Sequence, residues 1–232
     1  MSRCHPSPLL LLLLTLAACG RESPRATTKV DRLEPGDPKA VYFTVLAAPG
    51  DRFGDVAFDR RRFDQERLAG LESGRTHEET RSVGPYRFHF TDPYPGRGES
   101  EEEFRARLQQ LRAERAADPG SGQGEWLVDP EVLGREHGFR PFLADAFSDA
   151  LGTRDGMGHR AVTLAVRPDR RSELESFTSL YLGRSLVLVV EDEILMLATL
   201  QGSLRDEIQL VKVGGYSSDE IDRIFRALGK SR

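Results

Sequence analysis

The chain has 232 residues, 33 of them basic and 37 acidic, for a formal net charge of −4. That length suits one large domain or two small ones with a real core. Both signs of charge are mixed along it with no basic stripe, which argues against nucleic acid as a partner, since phosphate binding needs clustered Lys and Arg.

Arg3 is followed by an apolar stretch at residues 9–14 that continues through Leu16-Ala17-Ala18 to Cys19. The run is too short to span a bilayer, and small residues stand where a signal peptidase pocket accepts them. Leu16-Ala17-Ala18-Cys19 resembles the bacterial lipobox, whose cysteine is lipidated and becomes the first residue of the mature chain. The resemblance implies that residues 1–18 leave as a signal peptide and that Cys19 holds the protein to a membrane, on the periplasmic face of the cell envelope. In lipoproteins of two-membrane bacteria, Asp directly after the cysteine resembles an inner-membrane retention signal. Gly20 stands there, so the outer membrane is favoured. Cys4 leaves with the signal, and Cys19 is then the single thiol. That excludes an internal disulfide, a thiol enzyme and a cysteine-based metal site. Residues 20–38 are polar with three prolines and read as a flexible tether. Nothing after residue 19 approaches 18 consecutive apolar residues, so the lipid is the expected anchor.

The folded part is expected to begin with a β-branched and aromatic strand at residues 41–46. A short helix is placed near residues 63–71. Residues 86–90 alternate as a half-buried strand, with His89 on the face opposite Phe88 and Phe90 and exposed. Asp92-Pro93-Tyr94-Pro95-Gly96 breaks the chain. Ser100 and Glu103 form a capping box before Phe104, Leu108 and Leu111, predicting a helix to about Ala117. Residues 125–128 read as a short strand with Trp126 in the core.

Residues 161–166 read as a strand. Ser172 and Glu175 suggest a second capping box, with Leu174, Phe177 and Tyr181 on one face and Gly183 as the helix stop. Residues 185–200 are apolar except for Glu191-Asp192-Glu193, the pattern of a hairpin with its tip in water. Residues 208–213 alternate as a strand ended by Gly214-Gly215. Ser217 and Glu220 make a third capping box before Ile221, Ile224, Phe225 and Leu228. This order predicts an α+β fold, an antiparallel sheet with helices packed on one face. The expected regions are 1–18 (signal), 19–38 (tether), 39–135 (an N-terminal α+β region) and 136–232 (a C-terminal α+β subdomain).

That C-terminal order resembles the head subdomain of the first periplasmic domain of the SecD family. Leu143-Ala144-Asp145-Ala146-Phe147-Ser148-Asp149-Ala150 is similar to the segment leading into the head, and Val162-Thr163-Leu164-Ala165-Val166 to its first strand. Residues 186–195 resemble its hairpin, and Gly214-Gly215-Tyr216-Ser217-Ser218-Asp219-Glu220 the approach to its last helix. The chain departs from the family where Asp192-Glu193 replaces Asp-Gly in the hairpin turn. A different turn geometry is expected, because Glu resists positive φ. Leu197-Ala198-Thr199 replaces the Ser-Ala-Pro that follows the hairpin. The resemblance implies contact with polypeptides emerging outside the membrane. Without membrane-spanning helices, it implies the binding half of an export machine and not its proton-driven half.

Candidate chemistry is sparse. His77-Glu78-Glu79 lacks a second His at i+4 and reads as a solvated loop, not a zinc motif. His89 and Asp92 have no nucleophile beside them, although a hydrolase using His89 with a carboxylate stays as a third hypothesis. Asp145, Asp149 and Asp155 lack calcium-loop spacing and read as helix-flanking surface charges. Residues 152–158 read as a flexible turn, and Arg60-Arg61-Arg62 and Arg170-Arg171 as solvated surface charge. The hairpin is mostly core, but an arm at a sheet edge could accept a peptide as an added strand. Its candidate residues are Val187, Val189, Glu191, Asp192, Glu193, Leu195 and Leu197. No catalytic residue, metal or cofactor is expected. The first hypothesis is a lipid-anchored protein that binds exported polypeptides or translocon subunits; the alternative is an envelope ligand- or glycan-binding module unrelated to export.

Overall fold

A computed structural model describes residues 40–230. Residues 1–39, with Cys19, the signal and the tether, lie outside the described residues. The elements in order are β1 (Val41–Val45), β2 (Arg52–Phe53), β3 (Val56–Ala57), α1 (Arg60–Glu72), α2 (His77–Thr80), β4 (Ser82–Val83) and β5 (Tyr86–Thr91). Next come α3 (Glu101–Ala117), β6 (Gly124–Val128), α4 (Pro130–His137), β7 (Phe142–Leu143), β8 (Phe147–Arg154) and β9 (Arg160–Val166). The chain closes with α5 (Arg171–Leu180), β10 (Ser185–Val190), β11 (Glu193–Thr199), β12 (Glu207–Leu210) and α6 (Ser218–Ala227).

The helix ends follow local chemistry. Capping boxes start α3 at Ser100 and α6 at Ser217, each serine and its partner glutamate satisfying a backbone N–H of the other. Asp129 caps α4, Pro130 takes its first turn, and Gly138 ends it at φ 71°. The expected box at Ser172 does not form. A short 3₁₀ turn at Pro168–Arg170 carries the chain into α5, so Ser172 already lies inside the first turn and Glu175 pairs with Arg205 instead. His77 is not in a loop. It opens α2, which has its own box between Thr76 and Glu79.

The strands make an α+β fold with two main sheets. In the larger one, β10 pairs antiparallel with β1 and β11, and β11 pairs in parallel with β5 at Glu193–Phe90 and Ile194–Thr91. β5 pairs with β6 along its length, and a Leu46–Leu127 bridge joins the end of β1 back to β6. The sheet therefore curls on itself and is mixed, not purely antiparallel. Tyr42, Leu127, Val187, Val189 and Ile194 cluster on one of its faces with no helical side chain among them. The other face joins the main core, where Phe63, Leu174, Phe177, Ile221 and Ile224 bring in the helices. The smaller sheet, β12-β9-β8, gives Val162, Leu164 and Ile208 to the same core. Strands from both sides of residue 135 share the larger sheet, with β1 between β7 and β10.

Of the charges read as surface, one is buried, and two aspartates lie on or beside strands. Arg170 is buried over the Phe142 ring and donates to the carbonyls of Arg140 and Pro141. Asp149 lies on β8, and Asp155 accepts from the amides of Met157 and His159 in the β8–β9 turn. Neither flanks a helix. No helix among the described residues is long and apolar enough to cross a membrane.

Candidate functional site

The hairpin of β10 and β11 turns at Glu191-Asp192, one residue earlier than the family comparison implies. Both residues adopt positive φ, 49° and 66°. The turn thus takes the left-handed geometry that favours Asn-Gly, and does so with Glu191, which resists it, and Asp192, which is penalised less than other side chains but more than Gly. Contacts on every side hold it. Glu191 N donates to Ala40 O, and the Asp192 carbonyl lies 3.0 Å from His89 Nδ1. Asp192→Gly relieves a left-handed penalty while keeping that carbonyl. It should raise stability by about 1 kcal/mol in urea unfolding; no gain would show that the turn carries no strain.

The tip is in water at Glu191 and Asp192, but Glu193 beside them is drawn inward. Glu193 ion-pairs with Arg112 at 2.9 Å, Arg115 at 3.3 Å and Arg223 at 2.9 Å. Asp92, at the end of β5, meets the same three guanidinium groups at 2.7, 3.4 and 3.3 Å. Arg223 also reaches Glu191 at 3.1 Å, and Arg115 donates to Thr91 O. Three arginines and three carboxylates balance. Burial works against a charged Asp92, but Arg112 and Arg223 hold its carboxyl below the ordinary range. Burial, with the Asp92 charge next, pushes Glu193 upward. The two carboxyls split because they share one set of cations.

Behind the turn, His89 is buried inside the curl, not exposed. The Asp192 carbonyl can only accept, so Nδ1 carries the proton, and Nε2 accepts from the Tyr42 hydroxyl at 2.8 Å. Burial lowers the His89 pKa to about 4 and raises that of Tyr42. Both ring nitrogens are engaged, and Asp92 is held by arginines. The His89–carboxylate pair of a hydrolase is not brought together. Among the described residues, no group of His, Cys, Asp and Glu side chains is arranged to hold a metal ion.

The remaining hairpin residues divide sharply. β10 is paired on both sides, so Val187 and Val189 are interior and unavailable to a peptide. Leu195 is the extra residue of a bulge and points into the main core. β11 differs. Leu46 N donates to Ser185 O, so Ser185 and Val187 direct their backbone groups to β1, and Leu186 and Leu188 direct theirs to β11. Their partners Ala198 and Met196 are engaged, leaving Leu197 and Thr199 with N–H and C=O turned outward. On that outer side β5 covers only Glu193 and Ile194. Beyond Thr91, Asp92 turns into the arginine cluster, and Pro93 and Pro95 lack the N–H a strand needs. No described strand covers residues 195–199.

The other long edge, on β8, is blunted. Its Ala150 N–H is taken by the Asp149 carboxylate, and its Ser148 carbonyl by Lys230.

Reading by sequence weighed Asp92 only as a partner for His89, and missed Arg112, Arg115, Arg223 and Tyr42. A signal existed for one of them: Arg115 continues the 104, 108, 111 stripe of α3, where an apolar side chain is expected.

Fold and site together define an α+β protein on a curled mixed sheet, with an open strand edge on β11 beside a largely buried ion cluster. No family model matches the chain, and no curated protein matches it. Among solved structures it is similar to SecDF in a super-membrane-facing form, at 16% identity and a TM-score of 0.39, covering 84% of this chain and 19% of that one. It is also similar to a structure described as a membrane component SecDF that enhances protein export, at 14% identity and a TM-score of 0.35, covering 82% and 94%. A third is SecDF, a translocon-associated membrane protein from Thermus thermophilus, at 12% identity and a TM-score of 0.34, covering 86% and 30%. The chain thus spans about a fifth of the first of these and under a third of the third. Likenesses this distant carry no argument about function.

Proposed function

We propose that this is a non-enzymatic envelope protein, anchored through a lipid on Cys19, that captures extended polypeptide segments along residues 195–199 in the service of protein export. One observation supports the reading above the rest: among the described residues, the outward backbone donors and acceptors of Leu197 and Thr199 have no strand partner, on an uncharged, partly exposed segment. An added strand would satisfy those groups, the mechanism of β-augmentation. The anchor would keep the edge close to chains leaving a membrane.

A photo-crosslinking residue at position 197 should trap exported polypeptides in cells, whereas one at position 151 on β8 should not. Thr199→Pro removes an outward N–H that the fold does not use, so capture should fall while the melting temperature holds. Leu197→Lys, a charge on the same edge, provides a second variant. Equal trapping at positions 197 and 151, or full capture by both folded variants, would refute the reading.

A groove of about 410 Å³ lined by Phe53, Gly84, Pro85, Val132, Arg135 and Glu136 favours a second reading, binding of a small envelope ligand or glycan. A thermal shift with wall fragments or sugars, lost in Arg135→Ala, would support it.

A further inference from the structure

We infer that the β11 edge takes proline-free, extended segments carrying an apolar residue opposite Leu197, and reads their backbone more than their sequence. This rests on the strand-capture reading above and names the class of segment it admits. The edge is bounded at both ends. β5 occupies the flank of Glu193 and Ile194, and at the other end the strand stops at Thr199, with Leu200 N–H and C=O turned to the inner side, on Arg184 O and Gly183 N. Only Leu197 and Thr199 face outward between those limits. Each offers one donor and one acceptor, so about four backbone hydrogen bonds are available to an incoming strand.

A proline at a position facing either residue would leave an acceptor unpaired, and its ring would strike the edge. Side-chain selection enters at one point. Leu197 is 39% exposed and lies in one row with Thr44 and Val187 across the sheet. The residue opposite it in an added strand stands on the same face, so an apolar side chain there removes Leu197 from water. Residues 195–199 are Leu, Met, Leu, Ala and Thr, with no charge to select a charged partner. Binding should therefore change little with salt, unlike binding by surface arginines.

The test uses the purified full chain and ten-residue labelled peptides of alternating Val and Thr, each backbone nitrogen methylated in turn. Methylation at alternate residues near the centre should weaken binding about tenfold, and methylation between them should leave it nearly unchanged. Proline at the sensitive positions should act the same way. Peptides that crosslink at position 197 but show no two-residue period, and no proline penalty, would overturn this inference and leave the edge as the site. Peptides that neither bind nor crosslink there would remove the capture reading, and this inference with it.

Discussion

Arg223→Met should cost about 3–5 kcal/mol in urea unfolding, a large part of the stability of an ordinary domain. Arg223 is 5% exposed and holds Glu193, Asp92 and Glu191, besides donating to the Val190 carbonyl. Methionine fills similar space but leaves two arginines for the buried Asp92 and the mostly covered Glu193, with Glu191 released towards solvent. The pair most damaged is Asp92 and Glu193, already competing for the same cations. Neutralising them together should restore part of the loss: Arg223→Met combined with Glu193→Gln should be more stable than Arg223→Met alone. A loss under 1 kcal/mol for the single variant would mean that water reaches the cluster and screens it.

Stability should also fall by about 2 kcal/mol between pH 7.5 and pH 5, through His89. Its folded pKa, about 4, lies below the ordinary value of 6.5 because burial penalises the imidazolium. The unfolded chain therefore binds the proton first, and stability present above pH 6.5 is lost as pH falls towards 4. Geometry points the same way. Protonated Nε2 turns a hydrogen towards the Tyr42 oxygen and leaves the tyrosine hydroxyl without its acceptor, among Leu127, Val189 and Ile194. His77 shifts in the same direction, for burial and the nearby Arg81, but is half exposed and adds less. Asp92, with its depressed pKa, acts below this window. Urea midpoints at pH 7.5, 6 and 5 read the effect. His89→Gln, which can still donate to Asp192 O and accept from Tyr42, should flatten the profile; an unchanged slope would assign the loss elsewhere.

Both results concern residues that the sequence left obscure. Asp92 reads as part of a chain break with two prolines, and that is true locally. Nothing nearby shows that its carboxylate meets arginines 20, 23 and 131 positions away. Glu191-Asp192-Glu193 reads as a wet tip; Glu191 and Asp192 are exposed as that implies, and only Glu193 turns inward, because α3 and α6 bring cations to it. His89 reads as exposed because strand alternation places it opposite Phe88 and Phe90; the curl of the sheet then buries that face as well. The turn moves as Glu193 requires, since that residue stays extended in β11, but the positive φ falls on Glu191 instead. Glu at positive φ is costly in isolation, yet the ladder on one side and the ion cluster on the other outweigh about 1–2 kcal/mol of backbone strain.

By itself the sequence determined the α+β class, the hairpin arms and the starts of α3 and α6. Those depend on contacts between residues two to four apart, and such contacts are written in the local order of side chains. The tertiary structure alone decided that β10 is interior, that β11 keeps a free edge, and that three arginines meet at the turn. These are outcomes of strand pairing across the chain. Pairing is selected by total burial and by where prolines stop a neighbour, and no local window contains that information.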